Sequence, residues 1–272
     1  MPTAPRRALP FFVPLFLLCL ALLIIAAVCL GGSPLGRVGR VPYRDTAGAR
    51  AVPYADGGVH TSAEGEGNHA KPITCIVIDA GHGGEDGGTS SAAGVLEKDL
   101  NLSVAFALRD LFEAAGVPVV MTRTEDQLLY DRNVDFQGRK KTLDLAARRL
   151  MAEKVAKDTA EGGGTSLFIS IHMNAFPQPQ YRGMQVWYST RDPLSAEVAG
   201  RIQAASVAIM PDNHRKIKAA GSNIYLLDRI KTPAVLVECG FLSNPGEAER
   251  LSREDYRRAL AGVVFVGVME RR

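Results

Sequence analysis

The sequence predicts an α/β fold: a single three-layer αβα domain with a mostly parallel central sheet flanked by helices, behind an N-terminal transmembrane helix. Three observations carry the prediction. Continuous apolar runs, of the kind buried on both faces of a sheet, recur as ITCIVID from Ile73, LFISIH from Leu167 and AVLVE from Ala234. Segments of helical spacing separate them, and strands alternating with helices specify a largely parallel sheet. The stretch Phe11 to Leu30 holds no charge and no strongly polar residue. A helix of that length, rising roughly 1.5 Å per residue, matches a hydrocarbon core of about 30 Å.

Taken in order, residues 1–10 form a short N-terminal segment carrying Arg6 and Arg7. Residues 11–30 read as a membrane anchor, or as a signal segment if cleavage falls at the small residues Gly31, Gly32 and Ser33. Arg37, Arg40 and Arg44 follow the span, so the charge count does not orient it. Residues 31–71, rich in Gly, Ala, Arg and Pro without apolar periodicity, read as a flexible linker whose His60 and His69 are incidental. The folded domain then spans 72–272.

Within it, Ile73 to Asp79 is the first strand. Lys98 to Ala115 is a helix with apolar positions at Leu102, Ala105, Leu108, Phe112 and Ala115, ended by Gly116. Val117 to Thr122 is the next strand, and Thr142 to Thr159 a helix with Leu143, Ala146, Ala147, Leu150 and Met151 on its apolar side. Strands follow at Leu167 to His172 and Met184 to Ser189, a helix at Ala196 to Ile209, and the last buried strand at Ala234 to Glu238. Asn244 caps a helix with Pro245 in its first turn and Glu247 at the third position, and a final helix runs from Glu254 to Glu270.

Composition limits the function. With 272 residues, 46% hydrophobic and 22% charged, the chain supports one good-sized core and is not disordered by composition. A net charge of +3, without a basic stripe interleaved with aromatics, argues against a nucleic-acid binder. No C-x-x-C spacing is present; Cys75 and Cys239 read as buried thiols, with a disulfide between them as the alternative.

The chemistry gathers where strands end, which is where open α/β sheets place their sites. His82 follows the first strand in a glycine-rich loop, Glu97 opens the next helix, and His172 and Glu238 close two later strands. Two imidazoles and a carboxylate form a three-ligand shell suited to zinc, so His82, Glu97 and His172 are the candidate ligands. Glu238 is then the unliganded base that accepts a proton from water. Singly, each has a plainer reading: a loop histidine, an N-terminal helix carboxylate, half of a buried ion pair. Their joint placement selects the metal reading. Around them, Asp79 is the expected partner of a ligand histidine and Asp86 shapes a turn. Asn174 either orients substrate or holds its own loop. Arg123 either pairs with a substrate carboxylate or joins a helix-facing ion pair, and His214 is a solvated surface residue.

The motifs DAGHGGEDGG with Glu97 after it, SIHMNA, and VECGFLSNPGE occur in that order from Ile73 to the C-terminus. They closely resemble the zinc-dependent N-acetylmuramoyl-L-alanine amidase family (the amidase-3 group). RKKTLDLAARR, NAFPQPQYRGMQVWYS and NIYLLDR are similar to the CwlD subgroup of spore formers. The resemblance implies one Zn2+ held by His82, Glu97 and His172, with Glu238 catalytic. It implies hydrolysis of the amide between N-acetylmuramic acid and L-alanine in peptidoglycan, removing stem peptides on the way to the muramic-δ-lactam of spore cortex. It further implies peptidoglycan glycan and stem peptide as partners, and a partner deacetylase or activator protein. The placement implied is a single-pass one, with the domain on the extracytoplasmic side of the cell membrane or in the forespore envelope; cleavage of the N-terminal segment would make it secreted.

Other classes are disfavoured on the residues. A phosphate cradle would need G-x-x-x-x-G-K-[ST] or G-x-G-x-x-G, and Glu85 and Asp86 repel phosphate. A catalytically inactive wall-binding domain has no need of Glu238. A cell-separation autolysin would use the same chemistry, and a zinc hydrolase of ordinary peptides is set aside by the resemblance alone.

Overall fold

The apolar runs become the sheet, and the longest become its centre. β1 (Ile73–Ala80), β3 (Thr165–Asn174) and β6 (Ala234–Phe241) bury consecutive residues, so both faces of each strand are covered. The computed structural model describes residues 72–270 apart from 132 and 134–136. The expected anchor over 11–30 and linker over 31–71 lie outside the described residues. Among those described, no helix is long and apolar enough to cross a membrane.

Shorter strands flank the centre: β2 (Val119–Met121), β4 (Gln185–Tyr188) and β5 (Lys218–Ala219), in the order β2-β1-β3-β6-β4-β5. The first four run parallel. β4 lies antiparallel to β6, and β5 follows β4. The sheet is therefore parallel over its core and mixed at one edge.

Two helical layers cover it. On one face α1 (Glu97–Ala114), α3 (Pro193–Ala205) and α6 (Glu254–Met269) lay Val104, Leu108, Phe112, Val198, Ile202 and Val264 over Ile76, Ile78, Ile169, Ile171, Val235 and Val237. On the other, α2 (Lys140–Glu161) and α4 (Tyr225–Arg229) set Ala152, Leu226 and Leu227 against Val77, Phe168 and Leu236. Each such Val, Leu, Ile or Phe side chain contributes about 1.5–3 kcal/mol on burial. α5 (Pro245–Ser252) starts as its sequence specifies, with the Asn244 side chain accepting from the Glu247 amide at 3.0 Å and Pro245 in the first turn.

One helix departs from expectation. The apolar side predicted for α2 is not its buried side: Leu150 is exposed, and the inward stripe is Asp144, Arg148 and Ala152. Arg148 is 1% exposed, yet every bond it needs is made. Its Nε donates to Asp144 at 2.7 Å, Nη1 to Asp79 at 2.7 Å and the Ala80 carbonyl at 2.8 Å, and Nη2 to the His82 carbonyl at 2.7 Å. A stripe four residues apart was present, but it is ionic. Both domain cysteines are free thiols, Cys239 buried and Cys75 half-buried.

Candidate metal centre

His82, Glu97 and His172 converge from three elements, their donor atoms within 4.8 Å of one another. The Glu97 carboxylate sits between the rings, its Oε1 at 3.2 Å from His82 Nε2 and 3.0 Å from His172 Nδ1. A tetrahedral ion with ligands at about 2.0–2.1 Å needs donors roughly 3.3 Å apart, so the trio fits zinc in donor type and the two Glu97 distances fit it in spacing. The rings stand edge to face with centroids 5.0 Å apart.

Local sequence explains the convergence. Glu97 is the first residue of α1, where the helix dipole favours an ionised carboxylate. Its oxygens accept from the amides of Met173 at 3.0 Å and Thr89 at 2.9 Å and from the Asn101 side chain at 3.3 Å. Burial pushes against ionisation, but the hydrogen bonds and charges of His172 and His82 outweigh it and hold Glu97 well below the usual carboxylate range. The glycines of the loop are there for clearance. A Cβ on Gly81 would lie 2.3 Å from the His172 ring, and one on Gly88 (φ +68°) would lie 2.5 Å from Glu97 Oε2 and 2.8 Å from His82 Cδ2.

His82 itself has φ +62°, a conformation costing a non-glycine residue about 1–2 kcal/mol. The Arg148 bond to its carbonyl holds it there. Its Nδ1 is bonded to Asp86 at 2.9 Å, leaving Nε2 toward Glu97. Burial opposes protonation of His82, yet the bonds to Asp86 and Glu97 raise its pKa to about 9, while Asp86 falls to about 2 through the bond from His82. Asp86 shapes the turn as expected, accepting from the Gly88 amide at 3.1 Å, and also takes the histidine-partner role expected of Asp79. Asp86 orients the ligand histidine, as carboxylates beside metal-binding imidazoles do. Asp79 is fully buried against Arg148, Thr122 Oγ1 (2.7 Å) and Ser170 Oγ (2.6 Å).

Glu238 lies on β6 in register with His172 on β3. The residue is half-buried, and its inner oxygen Oε2 is sealed from solvent without a hydrogen-bond partner. Burial raises its pKa to about 7. A carboxyl titrating near neutrality, with one free acceptor atom beside the His82–Glu97–His172 cluster, suits proton transfer.

Asn174 stands on the same face as His172, two residues on, and among the described residues its side chain has no hydrogen bond; its carbonyl accepts from Leu242 at 2.8 Å. Of the two readings for Arg123, the helix-facing ion pair does not form among the described residues. Arg123 is 2% exposed, and its guanidinium donates to the carbonyls of Ala80, Gly81, Lys98 and Glu125, pinning the loop from beneath. His214 is exposed. Arg148 and Asn101 were missed. The only signal for Arg148 was its spacing of four from Asp144.

An αβα sandwich carrying a candidate His2Glu metal site and a half-buried glutamate beside it points to a hydrolase. Comparison with known proteins makes this specific. The family described as N-acetylmuramoyl-L-alanine amidase matches residues 76–270, and the chain belongs to that family. The germination-specific N-acetylmuramoyl-L-alanine amidase of Bacillus subtilis is 36% identical over 194 residues, covering 71% of this chain and 78% of that protein. AmiC of Neisseria meningitidis, another N-acetylmuramoyl-L-alanine amidase, is 28% identical, over 80% of this chain and 58% of its own. Among solved structures, the CwlD amidase of Clostridioides difficile, in complex with the GerS lipoprotein, is similar with a TM-score of 0.64 and 34% identity, over 72% of this chain and 96% of that one. The resemblance drawn from the motifs is borne out. The protein is a peptidoglycan amidase, hydrolysing the bond between N-acetylmuramic acid and L-alanine.

Proposed function

We propose that this amidase is zinc-dependent and removes stem peptides from peptidoglycan during formation of spore cortex. The observation that carries the mechanism is the pairing of the His82–Glu97–His172 cluster with the unpartnered Oε2 of Glu238 in register beside it. Zinc bound by the three would polarise the scissile carbonyl and acidify a water. Glu238 accepts the proton of the attacking water at Oε2 and returns it to the amine of the departing L-alanine. Asp86 keeps the His82 ring turned toward the cluster, and Arg148 keeps its backbone in place. Asn174, with its free amide on the same face, contacts the substrate.

The cortex role is supported by the likeness to the germination-specific enzyme and to CwlD. A partner protein belongs to this reading, as the solved complex of the C. difficile relative suggests. So does an extracytoplasmic placement by the apolar segment 11–30, since the substrate lies there. The full-length chain, incubated with purified peptidoglycan, is expected to release peptides beginning with L-alanine, and cells lacking it to make spores without muramic-δ-lactam. Normal lactam content in those spores would sink the cortex role and leave the chemistry standing.

A further inference from the structure

The segment between His172 and β4, with the end of β6, builds an aromatic surface that the mechanism above does not use. Phe176 is 47% exposed and Tyr181 41% exposed, and their rings meet edge to face at 4.8 Å. Tyr181 stacks toward Phe241 at 6.4 Å, and the Arg215 guanidinium lies 4.4 Å from the Phe241 ring centroid and 5.9 Å from that of Tyr181. The Phe176 amide is tied to Ser243 Oγ at 3.0 Å, so the exposed rings stand on a fixed backbone.

A register shift aims this surface. His172 pairs with Glu238, but Asn174 pairs with Phe241: two residues on β3 face three on β6. The extra residue is a β-bulge, which reverses the alternation of side chains beyond it. Cys239 and Leu242, three apart, both enter the core under α1 and α3, so Phe241 is turned onto the face of Glu238. At roughly 3.3 Å per residue, the buried Phe241 ring on which Tyr181 stacks lies about 7–10 Å beyond the base.

The two sides of the site differ in kind. On the β1 side the rim is ionic, with Lys140 on Glu85 at 2.6 Å, Lys141 on Asp86 at 3.7 Å and Lys98 on Asp126 at 2.7 Å. On the β6–β4 side it is aromatic, backed by Arg215. The scissile amide also has two unlike sides, an amphipathic pyranose and a charged peptide.

We propose that Phe176 and Tyr181, backed by the buried Phe241 ring and by Arg215, form a sugar-stacking subsite that seats the glycan strand over the β6–β4 side and sends the stem peptide toward β1. This rests on the amidase activity, and its test is independent of hydrolysis. Aromatic faces take the apolar C–H face of a pyranose, and Arg215 supplies donors at the rim.

The test is binding of glycan oligosaccharides stripped of peptide to the full-length chain, read by titration calorimetry, beside binding of free stem peptide. The exposed pair Phe176→Ala and Tyr181→Ala, singly and together, is expected to weaken oligosaccharide binding about tenfold or more, as truncating an aromatic anchor does. Stem-peptide binding is expected to stay unchanged. On peptidoglycan the same variants raise KM with little change in kcat. Tyr181→Phe retains oligosaccharide binding, and Val207→Ala, an exposed apolar residue elsewhere, changes nothing. Oligosaccharide affinity untouched by the double substitution, or loss of stem-peptide binding in its place, overturns the proposal. Failure of the amidase reading would show separately, as no L-alanine peptides released by the wild-type chain.

Discussion

Replacing Arg148 with methionine keeps most of its volume and removes its charge, leaving Asp79 and Asp144 buried without their common partner. Breaking a buried pair by removing one member costs about 3–5 kcal/mol. The low end applies here, because Asp79 keeps its bonds from Thr122 and Ser170 and Asp144 keeps the Leu129 amide at 2.6 Å. At about 2–4 °C per kcal/mol for a domain of this size, a loss of about 3 kcal/mol lowers Tm by roughly 6–12 °C. Burial alone would raise the Asp79 pKa, but the Arg148 charge and the bonds from Ser170, Thr122 and Arg148 hold it below its ordinary value. A depressed carboxylate stabilises the fold above its unfolded pKa, and that stabilisation is lost as pH falls through the folded one. The difference between wild type and Arg148→Met is therefore full near pH 7 and shrinks in acid. Urea unfolding of the metal-free chains across that range measures it. Since Arg148 also holds the His82 carbonyl, zinc affinity is expected to fall about 10–100-fold. A gap below about 1 kcal/mol at pH 7, or one that grows in acid, would refute this account of the network.

Two further substitutions probe the scaffold. Gly88→Ala drives a Cβ into Glu97 and His82 at a positive φ, and zinc content together with Tm should both drop, with the loss of metal exceeding what the Tm change implies. Glu247→Ala removes the acceptor of the Gly183 amide at 3.0 Å and the Phe241 amide at 2.8 Å, which is expected to cost about 1–3 kcal/mol in urea unfolding and to raise KM by loosening the Tyr181 segment.

Much of this arrangement is legible in the sequence. The three long strands announce themselves because burial on both faces demands unbroken apolar runs, and a strand that ends on a histidine or glutamate points to its site directly. What patterning missed follows from its premise that buried means apolar. Arg148 is invisible to it, and so the inward side of α2 was assigned to Leu143 and Leu150. Which aspartate meets the His82 ring is hidden for a similar reason: Asp79 stands three residues before it and Asp86 four after, and only the turn through Gly83 and Gly84 brings Asp86 to the ring. β5, two residues long, and α4, five, are too short to show any period. The bulge that turns Phe241 is likewise a matter of register, and register is set between strands rather than within one.

The most direct test of the mechanism sets wild type beside Glu238→Gln, measuring zinc per chain and L-alanine peptides released from peptidoglycan. Both proteins are expected to hold about one zinc, because Glu238 lies outside the ligand trio, while release by the variant falls by about 10²–10⁴. Turnover within tenfold of wild type, or a variant that has lost its zinc, would contradict the assignment of Glu238 as the base beside a His82–Glu97–His172 centre.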